Sequence, residues 1–248
     1  MIIIDSVRQP KPHTTAQALA KILRSAPPKE IDIAAAYITA SGLKVLLQVF
    51  KENLDEKGHK AKIRWLTSFD YCRTEPIALE KIMSLPSSSV RIHDSKFCLS
   101  RSCTPRIPFH PKTFFLRNAQ YDYMLSGSGN ISRSGLTCGY EAGLSLGIDR
   151  KANNLELSAA QAIKQSRRWF SSAWKNADTL TLMALTHYSG FFESVEKLKS
   201  PSPTEDDIAS DHLDNGALSN DDLQRLRVCR NFWIEAGNVT KNLGPNLP

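Results

Sequence analysis

Residues 31–39, Ile-Asp-Ile-Ala-Ala-Ala-Tyr-Ile-Thr, form a largely apolar run that predicts a buried strand. Ser41-Gly42 then opens an amphipathic pattern over residues 43–54, which is typical of a helix. The next apolar run, Ile-Arg-Trp-Leu-Thr at 63–67, predicts a second strand. A helix that links two strands is the β-α-β unit of α/β proteins, so this stretch predicts an α/β fold.

The flanking sequence continues the alternation of helices and strands. A helix is predicted from Thr14 or Thr15 to about Arg24, because Pro27-Pro28 would stop it. Further elements are predicted at 76–85 (helix), at 90–92, 109–117, 121–125 and 140–148 (strands), and at 155–177 and 180–197 (helices). The strand at 140–148 mixes small and apolar residues, so we expect it to be largely buried.

Two short motifs carry the residue types of a phosphodiester-cleaving site. The first is His110-Pro111-Lys112, inside an apolar and aromatic run, so on a strand the histidine and lysine would share one face about 7 Å apart. The second is the turn Gly-Ser-Gly-Asn at 127–130, where the backbone could approach a phosphate and Ser128 and Asn130 could donate hydrogen bonds. An acid, Glu141, follows within the next predicted strand.

In this order the motifs resemble the phospholipase D superfamily, whose signature is His-x-Lys, then Asp, then Gly-Ser-x-Asn. That Asp commonly lies five positions beyond the lysine, where this chain has Arg117, and we interpret the next acid, Asp122, as an ordinary polar residue of a strand. The absence of this Asp is tolerated in the nuclease branch that includes the BfiI-type and NgoFVII-type restriction endonucleases. In that branch His, Lys, Asn and a later Glu form the site, and the spacing of these residues here is similar. The resemblance implies an α/β fold with a phospholipase D-like mixed β-sheet flanked by helices on both faces.

The resemblance also implies a function, which is metal-independent DNA cleavage by a restriction endonuclease without a cofactor. His110 of one subunit would attack phosphorus to give a phosphohistidine, and the second His110 would protonate the leaving oxygen. Lys112, Asn130 and Ser128 would bind the non-bridging oxygens, and Glu141 would orient an imidazole. Because His-x-Lys occurs once here and monomeric members carry two copies, the resemblance implies a homodimer with one shared active site.

The distribution of charge predicts a polyanionic partner. The net charge is +7, although residues 200–222 contain seven acids and no Lys or Arg. Residues 223–248 contain four basic residues and one acid, so residues 1–199 carry +11. A unit this basic is expected to attract nucleic acid, and DNA is the partner that the motifs favour.

Composition also predicts the domain organisation. Residues 1–199 are expected to form one catalytic domain, and the Ser-Pro-Ser-Pro-Thr run followed by acids makes 200–222 an expected exposed linker. Residues 223–248 would be a C-terminal segment that begins a DNA-recognition domain, and 230–238 resembles the segment after the catalytic domain in NgoFVII-type enzymes. Whether a separate ATPase or helicase subunit is needed stays open.

The cysteines and the N-terminus exclude other classes. The five cysteines form no Cys-x-x-Cys pair and no zinc-finger spacing, which argues against a disulfide framework and a zinc site. The N-terminus has no basic segment before its short apolar run, and no stretch approaches the ~20 apolar residues of a membrane span. We therefore expect a cytoplasmic protein without a membrane partner.

Two alternative functions remain. The first is an RNase or a lipid phosphodiesterase of the same superfamily; the missing Asp and the single motif weigh against lipid, and nothing weighs strongly against RNA. The second is a non-catalytic nucleic-acid-binding module, against which the intact His110, Lys112, Ser128 and Asn130 weigh. Cleavage of DNA, RNA and a model diester in chelator would separate these functions.

Overall fold

The computed structural model describes residues 2–5, 13–54, 61–151 and 157–198. The strands are β1 Ile2–Asp5, β2 Glu30–Ala35, β3 Lys62–Ser68, β4 Ser88–His93, β5 Lys112–Arg117, β6 Tyr121–Gly127, β7 Ala142–Asp149 and β8 Asp178–Thr179. The helices are α1 Thr15–Ser25, α2 Ala40–Asn53, α3 Pro76–Met83, α4 Ser95–Ser100, α5 Leu157–Asn176 and α6 Leu182–Leu198. The strands form one eight-stranded sheet in the order β1-β7-β6-β5-β2-β3-β4-β8.

The centre of the sheet is the predicted β-α-β unit, extended by one more strand. β2, β3 and β4 run parallel, with Ile33 opposite Trp65 and Trp65 opposite Val90. The chain then reverses, so β5 pairs antiparallel with β2 on one side and with β6 on the other. The sheet is therefore mixed, and the α/β class predicted from the sequence is confirmed.

Alternating residues of the central strands face two separate apolar cores. Ile33 and Phe114 belong to the core that also contains residues of α1, α2, α3 and α6, whereas Ala34 and Phe115 belong to the core with α5. This alternation is the expected consequence of the two-residue period of a strand. Helices consequently pack on both faces of the sheet, as predicted.

The first helix begins where its sequence predicts. Thr14 accepts a hydrogen bond from the Gln17 backbone N–H at 3.3 Å, and the Gln17 side chain accepts one from Thr14 N–H at 3.0 Å. This reciprocal capping box satisfies two amides that have no partner within the helix. Leu19, Ile22 and Leu23 then form its buried face.

Some predicted boundaries and burials are wrong. β5 begins at Lys112 instead of 109, because Pro111 has no N–H for the ladder and Lys112 already pairs with Ala35 at the end of β2. β7 is largely exposed or half-buried, with only Ser145 buried, because α5 covers only its C-terminal half. β1, α4 and β8 were not predicted, since each is too short to show a clear period.

Because β5 runs antiparallel to β2 and β7 runs antiparallel to β6, both sequence motifs lie at one edge of the sheet, where these strands begin and end. Ala35 pairs with Lys112, and Gly127 pairs with Gly143, so the ends of β2 and β6 lie beside the starts of β5 and β7. The carboxyl ends of the parallel strands β3 and β4 lie at this edge too. We call this edge the motif edge, and the edge that carries the starts of β2, β3 and β6 the far edge.

Two regions named in the sequence analysis are not part of this description. The predicted linker at 200–222 and the C-terminal segment at 223–248 lie outside the described residues. Within the described ranges, none of the helices combines the length and the apolar character needed to cross a bilayer.

Candidate active site at the motif edge

Lys112 is a buried cation at the first position of β5. The residue is 9% exposed, and its Nζ lies 2.9 Å from Nδ1 and 3.2 Å from Nε2 of His110. Nζ also donates to the carbonyl oxygen of His110 at 3.2 Å. Burial lowers the pKa of Lys112, because an ammonium loses hydration there, and the nearby carboxylate of Glu141 partly opposes that effect.

His110 is exposed and precedes β5, so the expectation that it shares a strand face with Lys112 is wrong. Pro108 and Pro111 flank it and keep this segment out of the ladder. The lysine side chain instead turns toward the imidazole. Because an ammonium can only donate, the ring nitrogen of His110 is the acceptor in this contact.

Asp70 holds the residue that precedes His110. Its buried carboxylate accepts a hydrogen bond from the Phe109 backbone N–H at 2.7 Å, and the Phe109 ring stacks on His93 with 4.9 Å between centroids. Asp70 follows β3 and His93 ends β4, so the ends of two parallel strands fix the position of the histidine loop. A charge-assisted hydrogen bond of this kind is roughly twice as strong as a neutral one.

The turn that carries Asp70 is strained. Tyr71 and Cys72 have φ values of 55° and 51°, which lie in the left-handed backbone region that residues with a Cβ rarely adopt. Each such residue costs on the order of 1–3 kcal/mol and persists only where its surroundings fix it. Here the Tyr71 N–H donates to the Cys103 carbonyl at 2.6 Å, which anchors the turn.

The Gly-Ser-Gly-Asn turn is joined to the start of β7 through Ser128. Its backbone N–H donates to the Ala142 carbonyl at 2.9 Å, and its hydroxyl oxygen accepts from the Ala142 N–H at 3.1 Å. The same hydroxyl donates to Oε2 of Glu141. The charge of Glu141 also raises the pKa of Lys112, so the acid interacts with both the turn and the lysine.

Close backbone approach explains the glycine in this turn. A Cβ on Gly129 would overlap the carbonyl oxygen of Gly135, and a Cβ on Gly135 would lie 2.5 Å from the carbonyl oxygen of Asn130. Both positions therefore need glycine for steric reasons. The turn packs against the short helical segment Ser134–Cys138, which fixes its backbone.

Asn130 has a buried side-chain oxygen without a partner. Its Oδ1 makes no hydrogen bond with the rest of the described residues. Buried polar atoms without partners are rare and call for an explanation. A hydrogen-bond donor on a ligand would satisfy this oxygen, and the Nδ2 amide of the same side chain can donate to a ligand oxygen.

Hydrogen-bond contacts or an electrostatic interaction connect four of the five predicted site residues. His110 contacts Lys112, Lys112 lies in the field of Glu141, and Glu141 binds Ser128. Asn130 is two positions beyond Ser128 in the same turn. The anchoring role of Asp70 was not predicted, although its position two residues after a parallel strand could have indicated it.

Asp122 lies on β6, as expected of a polar strand residue, and it also takes part in an ion network. Its carboxylate is buried at the far edge and accepts a hydrogen bond at 3.0 Å from Arg117, five positions beyond Lys112. Arg167 of α5 reaches the same carboxylate at 2.7 Å. These three residues form part of a buried ion network, which is separated from His110 by the length of β5.

The composition of the motif edge differs from that of a metal centre. Throughout the described ranges, no group of three or more His, Cys, Asp or Glu residues is arranged to hold a metal ion. Cys72, Cys98 and Cys103 are buried cysteines near Asp70, and burial raises the pKa of Cys98 to about 12 and also raises the pKa of Cys103. Cys98 and Cys103 are therefore uncharged at neutral pH, and the three side chains serve the packing of the Asp70 turn.

Comparison with known proteins adds no assignment. No protein-family model matches the sequence. No curated protein is detectably similar to it. The functional conclusion consequently depends on the residues of the motif edge.

Proposed function

We propose that this chain is a phospholipase D-like, metal-independent DNA endonuclease of a restriction system. The observation that carries the proposal is the contact between the buried ammonium of Lys112 and the exposed imidazole of His110. A neutral imidazole is a nucleophile, and a buried cation with an amide donor is suited to phosphate oxygens. Lys112 supplies the charge that metal ions bring in many nucleases, so the proposal requires no metal.

In the first step, a phosphodiester enters between His110 and Lys112. Its anionic oxygens are stronger acceptors than the imidazole, so they take the ammonium and free the ring nitrogen. The ring nitrogen then forms a bond to phosphorus, and the bond to the leaving alkoxide breaks. The alkoxide takes a proton from the His110 of a second subunit, while Lys112 and Asn130 stabilise the developing charge.

In the second step, water replaces histidine on phosphorus. The second His110, now neutral, accepts a proton from the water as its oxygen attacks. The phosphorus–nitrogen bond breaks and returns the first His110 as a neutral imidazole. Glu141, which interacts with both Ser128 and Lys112, would hold the turn and the cation in register through both steps.

The proposal includes a homodimer with one shared site. Each chain supplies one His-x-Lys motif, whereas the two steps need a nucleophile and an acid on opposite sides of phosphorus. Ile107 and Tyr140, which adjoin His110 and Glu141 in sequence, are 71% and 86% exposed. Large apolar side chains exposed near a site are typical of an interaction surface.

DNA is the proposed substrate because of charge. Residues 1–199 carry a net charge of +11, and a basic catalytic unit raises the local concentration of a polyanion. Sequence recognition and any requirement for an ATPase or helicase subunit would then belong to other segments or partners. RNA is the competing substrate, and comparing the cleavage of RNA and DNA distinguishes the two.

The first prediction is that the wild-type protein cleaves plasmid DNA in excess EDTA and that His110→Ala abolishes cleavage. DNA binding of the variant should stay nearly unchanged, because the nucleophile is lost while the basic surface remains. Gel electrophoresis of the plasmid measures cleavage, and a mobility-shift assay measures binding. RNA of similar length should be cleaved more slowly than DNA.

His187→Ala is the matched control, because His187 is an exposed histidine on α6, away from the motif. This variant should cleave DNA as the wild type does. Substantial cleavage by His110→Ala, or activity that disappears in EDTA and returns with magnesium, would contradict the proposal.

The second prediction concerns pH. Because burial lowers the pKa of Lys112, its ammonium should lose its proton below the ordinary lysine pKa of about 10.4. The hydrolysis rate should therefore be at its maximum below the lowered pKa of Lys112 and should fall as pH rises through that pKa. The rate of hydrolysis of a chromogenic phosphodiester, followed across the alkaline pH range, measures this fall.

Lys112→Arg separates this cause from others, because a guanidinium stays protonated across that range. The variant should keep residual activity, and its alkaline limb should lie at higher pH than that of the wild type. An identical limb in both proteins would show that another group titrates.

The third prediction tests the shared site by mixing subunits. Wild-type and His110→Ala chains are coexpressed with different affinity tags at several ratios, so that heterodimers form. Because a heterodimer has only one histidine, activity should fall with the square of the wild-type fraction. A linear fall would show that each chain has its own complete site.

A further inference from the structure

A cleft of about 640 Å³ opens at the far edge of the sheet beside α5. Its acidic lining residues are Glu30 and Asp122. The cationic residues that line it are Arg64, Arg117, Arg150, Lys164, Arg167 and Arg168. Clefts of a few hundred cubic ångströms with convergent charged groups are typical of small-ligand sites.

The floor of this cleft is an ion network with more arginines than acids. Arg64 binds Asp32 through two hydrogen bonds of 2.6 and 2.8 Å. Arg167 bridges Asp32 at 3.3 Å and Asp122 at 2.7 Å, and Arg117 binds Asp122 at 3.0 Å. Three guanidinium groups therefore share two carboxylates, and Glu30, whose charge acts on Arg64, is the third acid beside them.

Arg167, which both aspartates share, is poorly hydrated. The side chain of Arg167 is 11% exposed, and burial lowers its pKa, with repulsion from Arg117 adding to the effect. Arg117 Nε is buried and has no hydrogen-bond partner among the described residues. An anion in the cleft would relieve the repulsion between the two guanidinium groups.

A second set of cations surrounds the opening. Arg150 donates to the backbone carbonyls of Asn118 and Ala119, which holds its guanidinium at the rim. Lys164 and Arg168 are exposed and one helical turn apart on α5, so both extend over the same side of the cleft. The rim adds three positive charges to the floor, so the six cations of the cleft exceed the three acids Glu30, Asp32 and Asp122 by three.

We infer that this far-edge cleft is a binding site for phosphate groups, separate from the motif edge. Convergent arginine forks suit the oxygens of phosphate, and the concentration of positive charge favours a multiply charged ligand over a carboxylate. The five residue steps along β5 from Lys112 to Arg117 separate the two places by about 17 Å. The phosphate can come from a nucleotide or from a nucleic-acid backbone, and the experiment distinguishes these sources.

The test measures binding of pyrophosphate by titration calorimetry to a Lys112→Ala protein, in which the motif edge lacks its own cation. Lys164→Ala with Arg168→Ala, added to that protein, should weaken pyrophosphate binding at least 10-fold. The exposed pair is chosen because removing Arg167 would leave Asp32 and Asp122 buried with fewer partners and could unfold the chain.

The matched control is Lys81→Ala with Lys175→Ala, which removes the same net charge from exposed positions outside the cleft lining. The control should bind pyrophosphate within 2-fold of the parent. Equal losses in the two double variants, or no measurable binding by the parent, would overturn the inference.

Two further ligands identify the source of the phosphate. A selective loss of adenosine triphosphate binding in the cleft variant would assign the site to a nucleotide. A selective loss of binding to a single-stranded DNA oligonucleotide would assign it to a nucleic-acid backbone, and no loss for either ligand would overturn the inference. Without the Lys112 substitution, the cleft variant should hydrolyse a small chromogenic diester at the wild-type rate, so failure here is distinguishable from failure of the proposed nuclease.

Discussion

The arrangement of the motif edge depends on one constraint, the burial of the Lys112 ammonium at the first position of β5. A buried cation is costly unless other groups offset its lost hydration. Its neighbours do so with the imidazole and carbonyl of His110 and the carboxylate of Glu141. Glu141 is bound by Ser128, so the lysine indirectly orders the Gly-Ser-Gly-Asn turn. A phosphate that replaces the imidazole as acceptor would meet a site whose charge is already in place.

The sequence was sufficient for the parts of the fold whose patterns are long and periodic. The β-α-β unit, the capped first helix and the strands around both motifs follow from apolar runs and turn residues. The short elements β1, α4 and β8 did not, because two to six residues cannot show a period. The burial of β7 was overestimated, since composition alone does not reveal that α5 covers only part of that strand.

The candidate site was predictable in its residue types but not in its geometry. His110 approaches Lys112 from a proline-flanked segment held by Asp70, a contact between residues 39 positions apart in sequence. No local pattern reveals such a contact. The same holds for Asp122, whose partner Arg167 lies on α5. Arg117, five positions beyond Lys112 on β5, joins that network, so the two ends of this strand carry different chemistry.

The central claim is that His110 becomes covalently bonded to phosphorus, and trapping that intermediate tests it most directly. End-labelled DNA is mixed with excess protein and quenched into alkaline denaturant during the first turnover, because phosphohistidine survives in base. Denaturing electrophoresis and peptide mass spectrometry then locate the label. The account predicts a transient protein–DNA adduct on the peptide that contains His110. DNA cleavage without an adduct, or with an adduct on another residue, would contradict it.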